Sequence, residues 1–214
     1  MTGQAFQSAA PLRVKHILVL IAGATAFLTV LFAGVASRGK NSIAMYVRDP
    51  AAEFGFTPLA GMVSHLGVFA LLTAGVISIF ASYHVRPARG LLFWAGSFSL
   101  LIGVDDFFMI HDDLALRVGL SEIHVFAFYG LLALTISFVF RTSLIGRAHV
   151  GLYTAIVLLA ASVIADVAMD YSETQVVFED SLKFVGLIVW SSYWIRRAHL
   201  TLSLPGRRFP TTSG

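Results

Sequence analysis

An all-α bundle of six membrane spans is the fold this sequence predicts, and three observations predict it. Of 214 residues, 57% are hydrophobic and 13% charged, and the mean hydropathy is +0.80, outside the range of soluble globular domains. A spanning helix needs about 20 mostly apolar residues, and the sequence offers such a run six times. The period-two alternation of a membrane barrel is absent.

The runs place spans at about 14–36, 59–83, 90–111, 122–140, 149–170 and 179–196 within one membrane domain covering 1–214. The first follows Arg13 and Lys15 as a signal peptide would, but it exceeds the 7 to 15 apolar residues typical of one, which predicts a retained helix. The connection 37–58 holds Pro50, Pro58 and "EFGF" and suits a re-entrant or interfacial segment. The tail from about 203 to 214, rich in Pro, Ser and Thr, reads as flexible. With no cysteine, disulfides and thiolate metal sites are excluded.

Charge sets an orientation. Ten basic residues fall in alternate connections: Arg13, Lys15, Arg86, Arg89, Arg141, Arg147, Arg196, Arg197, Arg207 and Arg208. The positive-inside rule makes those ends, and both termini, cytoplasmic. Arg38, Lys40, Arg48 and Arg117 fall outside, and Lys183 lies within a span. All twelve acids then fall on the outer side: Asp49, Glu53, Asp105, Asp106, Asp112, Asp113, Glu122, Asp166, Asp170, Glu173, Glu179 and Asp180. The net charge of +3 therefore averages a basic inner surface with an acidic outer layer. The inner arginines suit anionic lipid heads in a cell membrane rather than a nucleic acid.

Three histidines share the acids' side: His65, His111 and His124. His16, His84, His149 and His199 lie beside basic residues in cytoplasmic flanks, where surface positions are expected. Asp105 and Asp112, seven apart on a continuous helix, superimpose on one face, with Asp106 and Asp113 a quarter-turn aside. Asp166 and Asp170 share a face, and Lys183 lies within reach of Glu179 or Asp180 on its own helix. At 1.5 Å per residue, Asp105, Asp106, Asp166 and His65 sit roughly 6 to 10 Å below the outer boundary. Ionisable groups at that depth are costly unless they face a polar interior, so a shared pocket opening outward is expected.

Oxygen and imidazole donors without thiolate suit Zn, Fe or Mn. The leading expectation is a metal-dependent intramembrane enzyme acting on a lipid-like, membrane-dissolved substrate as a hydrolase or oxidoreductase. Its divalent metal would be held among His65, Asp105, His111, Asp112, His124, Asp166, Asp170 and Glu179. Asp106 would serve as general base and Lys183 would stabilise a developing anion. The first alternative is a proton- or cation-coupled transporter or channel using the same carboxylates, with Lys183 as internal counter-charge; against it, the inner halves of the spans hold no ionisable residue. A third is b-type haem between two of His65, His111 and His124.

"FEDSLKFVGLIVW", residues 178–190, resembles the last helix of microbial rhodopsins, in which an acid one turn before a lysine attends a retinal Schiff base. That family has seven spans rather than six, and its lysine lies deeper. Alkaline ceramidases and adiponectin receptors combine Ser-x-x-x-His with His-x-x-x-His; here Ser64 and His65 are adjacent and the second motif is missing, so only the ingredients are similar.

Overall fold

The computed structural model describes residues 14–38, 50–86, 88–170 and 172–203. Its contacts divide the chain into two units, residues 1–60 and 61–214. Among the described residues all regular structure is helical.

In the first unit, α1 (Val14–Arg38) occupies the first expected span. Its 25 residues extend about 37 Å at the helical rise. The connection that follows contains one short helix, α2 (Pro50–Phe54). Pro50 opens it, where a missing N–H costs nothing and a fixed φ already suits the helix. Gly55, at φ 73°, ends it, and the rings of Phe54 and Phe56 stack at 6.4 Å. Asp49 lies outside the described residues, as does the side chain of Glu53.

The second unit contains α3 (Met62–His84), α4 (Arg89–Phe108), a π-helical turn (Ile110–Leu114), α5 (Ala115–Arg117) and α6 (Glu122–Val139). It continues with α7 (Arg141–Leu144), a 3-10 turn (Arg147–His149), α8 (Val150–Ala168) and α9 (Glu173–Ser203). Four of these helices, α3, α4, α6 and α8, are long and apolar enough to cross a membrane. The last expected span lies inside α9, whose 31 residues reach about 46 Å. Glu179, Asp180 and Lys183 fall early in that helix and Arg196 and Arg197 late, so composition alone does not mark it as a span. The expected flexible tail lies, beyond Ser203, outside the described residues.

Helix α3 packs against α4 on one side and α9 on the other, and α8 packs against α9. Leu71, Ala74, Leu92, Ala95, Leu187, Trp190 and Trp194 form the centre of the core. Lipid tails are as apolar as leucine, so helices in a bilayer associate through close contact at small residues. Where α3 meets α4, a Cβ on Gly96 would lie 2.8 Å from the carbonyl oxygen of Gly75, and one on Gly75 3.0 Å from that of Gly96. Only hydrogen fits between these backbones. Helix α6 touches α4 lightly, and none of its residues is buried; its outward side chains are the apolar Phe128, Leu131, Leu134 and Phe138.

This arrangement gives the bundle two chemically distinct ends. One carries Asp105, Asp106, Asp166 and Glu179; the other carries Arg86, Arg89, His149 and Arg197.

Candidate functional site

The carboxylate end is shaped by a break in α4. A continuous helix would carry residue 105 onto 112, but α4 stops at Phe108 and Met109 turns into the left-handed region at φ 50°. That conformation is uncommon for a residue with a side chain. The chain resumes as a π turn, itself a rare element found most often at functional sites. The continuous helix assumed for stacking residue 112 on residue 105 is therefore interrupted. Six residues along a continuous helix would carry a side chain to a different face, but the break folds His111 back onto Asp105. Their Nδ1 and Oδ2 atoms lie 2.7 Å apart. An ionised carboxylate can only accept, so the imidazole donates. Both groups are buried, at 2% exposure for Asp105 and 8% for His111, and the ring of Phe126 packs on His111 at 5.3 Å.

A second pair spans two helices. Sequence spacing offered Lys183 partners one turn back on its own helix, but in the fold its ammonium donates to Oδ1 of Asp106 on α4. The Asp106 side chain is 8% exposed and that of Lys183 30%, so the anion is the more deeply buried partner. Each aspartate keeps one buried oxygen, Asp105 Oδ1 and Asp106 Oδ2, with no hydrogen bond among the described residues. Tyr129 of α6 faces Asp105 closely enough for the hydroxyl and the carboxylate to interact electrostatically. Asp106 and Lys183 line a narrow cleft with Ser64 and Gly67 of α3 and Asp180 and Leu187 of α9. There is room in it for about one water molecule.

The remaining sequence candidates are spread around these pairs. Glu179 is half-buried and accepts a 2.9 Å hydrogen bond from Gln175 Nε2 one turn earlier; Asp166 of α8 is close enough to repel it. His65 is exposed near the start of α3, its ring over Gly61. His124 is exposed at the start of α6 and shares a 2.5 Å hydrogen bond with Ser121. Asp170 is exposed just beyond α8, and Asp112 lies in the π turn with its side chain outside the described residues. Among the described residues, no three His, Asp or Glu side chains converge closely enough to hold a metal ion. Among the described residues the fold pairs Asp105 with His111 and Asp106 with Lys183. Gln175, buried at 4%, and Tyr129 join this layer without having been singled out by sequence; an amide one turn before Glu179 was a readable signal, whereas Tyr129 left none.

At the arginine end, His149 departs from the surface position expected of it. It is buried at 7% exposure, and its Nδ1 shares a 2.7 Å hydrogen bond with the Tyr193 hydroxyl. Burial, reinforced by the nearby Arg197 guanidinium, holds its pKa below the ordinary histidine value. Tyr153 closes the cluster by donating to the Leu144 carbonyl at 2.6 Å. His84 and His199 are exposed, as expected, whereas the side chain of His16 lies outside the described residues.

These features define a class: an all-helical protein with helices able to cross a membrane and a layer of paired ionisable side chains inside one end of its bundle. More particularly, the chain belongs to the DUF8692 family, a domain of unknown function whose profile matches residues 17–196. No curated protein and no solved structure matches it.

Proposed function

We propose that this protein is a six-span cell-membrane protein with both ends cytoplasmic, and that its outward-facing acidic layer exchanges protons or a small cation. The observation that carries this reading is the part-buried Asp106–Lys183 pair between α4 and α9. An intramembrane carboxylate is costly and is retained where it does something. Among the described residues one oxygen of Asp106 has no hydrogen bond, so it can take up a proton or a cation while Lys183 acts as the internal counter-charge that expels it. The neighbouring Asp105–His111 pair supplies a second group able to hold a proton at the same depth. The arginines at the opposite end anchor the protein to anionic lipid heads.

Reconstituted vesicles test the reading. A pH or cation gradient should dissipate faster with wild-type protein than with Asp105→Asn or Asp106→Asn; equal rates for all three, no faster than protein-free vesicles, reject it. The topology is checked separately with cysteines introduced at Gly39, Gly119, Thr174 and Gly214: the first three should label from outside the cell and the last from the cytoplasm. Reversed labelling overturns the orientation.

One observation supports a second reading. A carboxylate orienting an imidazole, as Asp105 does His111, is the arrangement that commonly supports a metal ligand. Under this reading Zn, Fe or Mn recruits His111 together with further oxygen donors of the same layer for chemistry on a membrane-dissolved, lipid-like substrate. Elemental analysis of protein purified without chelator separates the two: near-stoichiometric metal, lost in Asp105→Ala and His111→Ala, supports the enzyme, and metal-free protein leaves exchange.

A further inference from the structure

Lys183 pairs with Asp106, and Arg117 with Asp113. Arg141 lies 4.7 Å over the Phe138 ring and donates to the Phe138 carbonyl. Arg89 has no such contact among the described residues. It stands instead beside an open groove of about 430 Å³, lined by Ser82 and Tyr83 of α3 and by Arg89, Gly90 and Phe93 of α4. Ligand sites commonly occupy ~300 to 1,000 Å³. Ser82 already donates to the Ile79 carbonyl at 2.6 Å. Tyr83 is 67% exposed, and its hydroxyl has no hydrogen-bond partner among the described residues. The groove therefore presents two uncommitted donors, one of them a cation.

Its place in the fold says what surrounds it. Tyr83 is one residue short of the end of α3 and Arg89 is the first residue of α4, and both helices are long and apolar enough to cross a membrane. Phe93, four residues further on, is about 6 Å deeper along the axis. The groove thus spans the level at which hydrocarbon gives way to headgroups. Phe93 and Trp94, in edge-to-face contact at 5.7 Å, are the kind of rings that settle at that level. Charge then selects the lipid. A guanidinium matches the geometry of a phosphate, with strong charge-assisted hydrogen bonds, and a phenol adds a neutral donor. A zwitterionic headgroup would bring an ammonium as well. No acid lies in the first turn of α4, and residues 54 to 104 include no Asp or Glu, so that ammonium would find no counter-ion on either helix.

We propose that this groove is a binding site for one anionic phospholipid, with Arg89 and Tyr83 holding its phosphate and Phe93 flanking its glycerol and upper acyl chains. A basic surface attracts any anionic lipid loosely; the groove assigns a single lipid to named donors. The inference rests on the reading of the chain as a membrane protein but not on exchange. Its test reads lipid occupancy rather than flux, so the two can fail separately.

Native mass spectrometry of the full chain in a neutral detergent, with phosphatidylglycerol or phosphatidylcholine added, tests it. Wild type should retain one phosphatidylglycerol per chain, at a lipid concentration about tenfold below that needed for phosphatidylcholine; no preference overturns the site. Losing one charge-assisted phosphate contact weakens binding by about tenfold. Arg89→Gln should show that loss and Tyr83→Phe a smaller one, whereas Arg196→Gln, an exposed arginine outside the groove, should bind like wild type. Equal losses in Arg89→Gln and Arg196→Gln would mean a diffuse basic surface and overturn the proposal. A lipid-free dimer would give the groove to a second copy, and displacement of the lipid by an equal concentration of glycerol 3-phosphate would give it to a soluble phosphate; either overturns the lipid. Should the variants fail to fold, wild type decides alone in vesicles. Trp94 is 49% exposed, whereas Trp190 and Trp194 are buried. Phosphatidylglycerol brominated near its glycerol should therefore quench tryptophan fluorescence at a clearly lower mole fraction than brominated phosphatidylcholine, and equal quenching overturns the preference.

Discussion

Lys183→Met leaves Asp106 as a buried carboxylate without its counter-ion, while keeping the length and much of the volume of the side chain. Removing one partner of a fully buried pair costs about 3 to 5 kcal/mol, much of it the penalty on the stranded charge. Asp106 is 8% exposed but Lys183 is 30% exposed, so solvent screens part of the attraction and about 2 to 3 kcal/mol is expected. That is roughly a 30- to 160-fold fall in the ratio of folded to unfolded protein. The assay is SDS-induced unfolding in mixed micelles, followed by tryptophan fluorescence, for wild type, Lys183→Met, Asp106→Asn and the double variant. Asp106→Asn removes the charge and should cost less than Lys183→Met. The double variant should recover most of the loss, because it leaves no stranded charge, and the interaction energy from the cycle should exceed about 1 kcal/mol. Additive single effects, or a stable Lys183→Met, would show that the pair does not form.

Three further outcomes follow from the packing and from His149. Gly96→Ala places a methyl 2.8 Å from the Gly75 carbonyl oxygen and should cost about 1 to 3 kcal/mol in the same titration, whereas Gly130→Ala on α6 meets nothing within 4 Å and should be neutral or slightly stabilising; equal effects at the two sites refute the close α3–α4 crossing. Because the His149 pKa is lowered by folding, the unfolded chain binds the proton more readily. Its contribution to stability is full above about pH 6.5, the unfolded value, and is lost as pH falls from there through the lowered folded value; His149→Asn should flatten that part of the profile, and an unchanged slope assigns the loss elsewhere. Trp190→Phe deletes the bond to Ser99 and should cost about 1 kcal/mol; no loss would mean that water replaces the indole N–H.

The helices were legible because apolar length is legible. Four of the expected spans coincide within a few residues with α3, α4, α6 and α8, since twenty apolar residues in a row have few other uses. The site was legible as a layer but not as a set of partners. Helical spacing relates residues on one helix, so it offered Lys183 the carboxylates of Glu179 and Asp180 and could not reveal Asp106, 77 residues away. It also assumed that α4 continues past residue 108. Nothing in "FFMIHDD" announces a left-handed methionine, since methionine has no preference for that conformation, and this single turn breaks the helix and brings His111 onto Asp105. The buried serines are illegible for a different reason: a serine within an apolar run can face outward or inward, and only the fold shows that Ser78 and Ser191 lie inside it.

The exchange reading stands most directly on the rate at which a pH gradient decays in vesicles containing equal amounts of folded wild-type or Asp106→Asn protein. Asparagine keeps the shape of the side chain and removes its ability to take up a proton. Wild-type vesicles should lose the gradient at least tenfold faster than those with Asp106→Asn, which should match protein-free vesicles. Wild-type and variant decaying at the same rate, whether fast or slow, would contradict it.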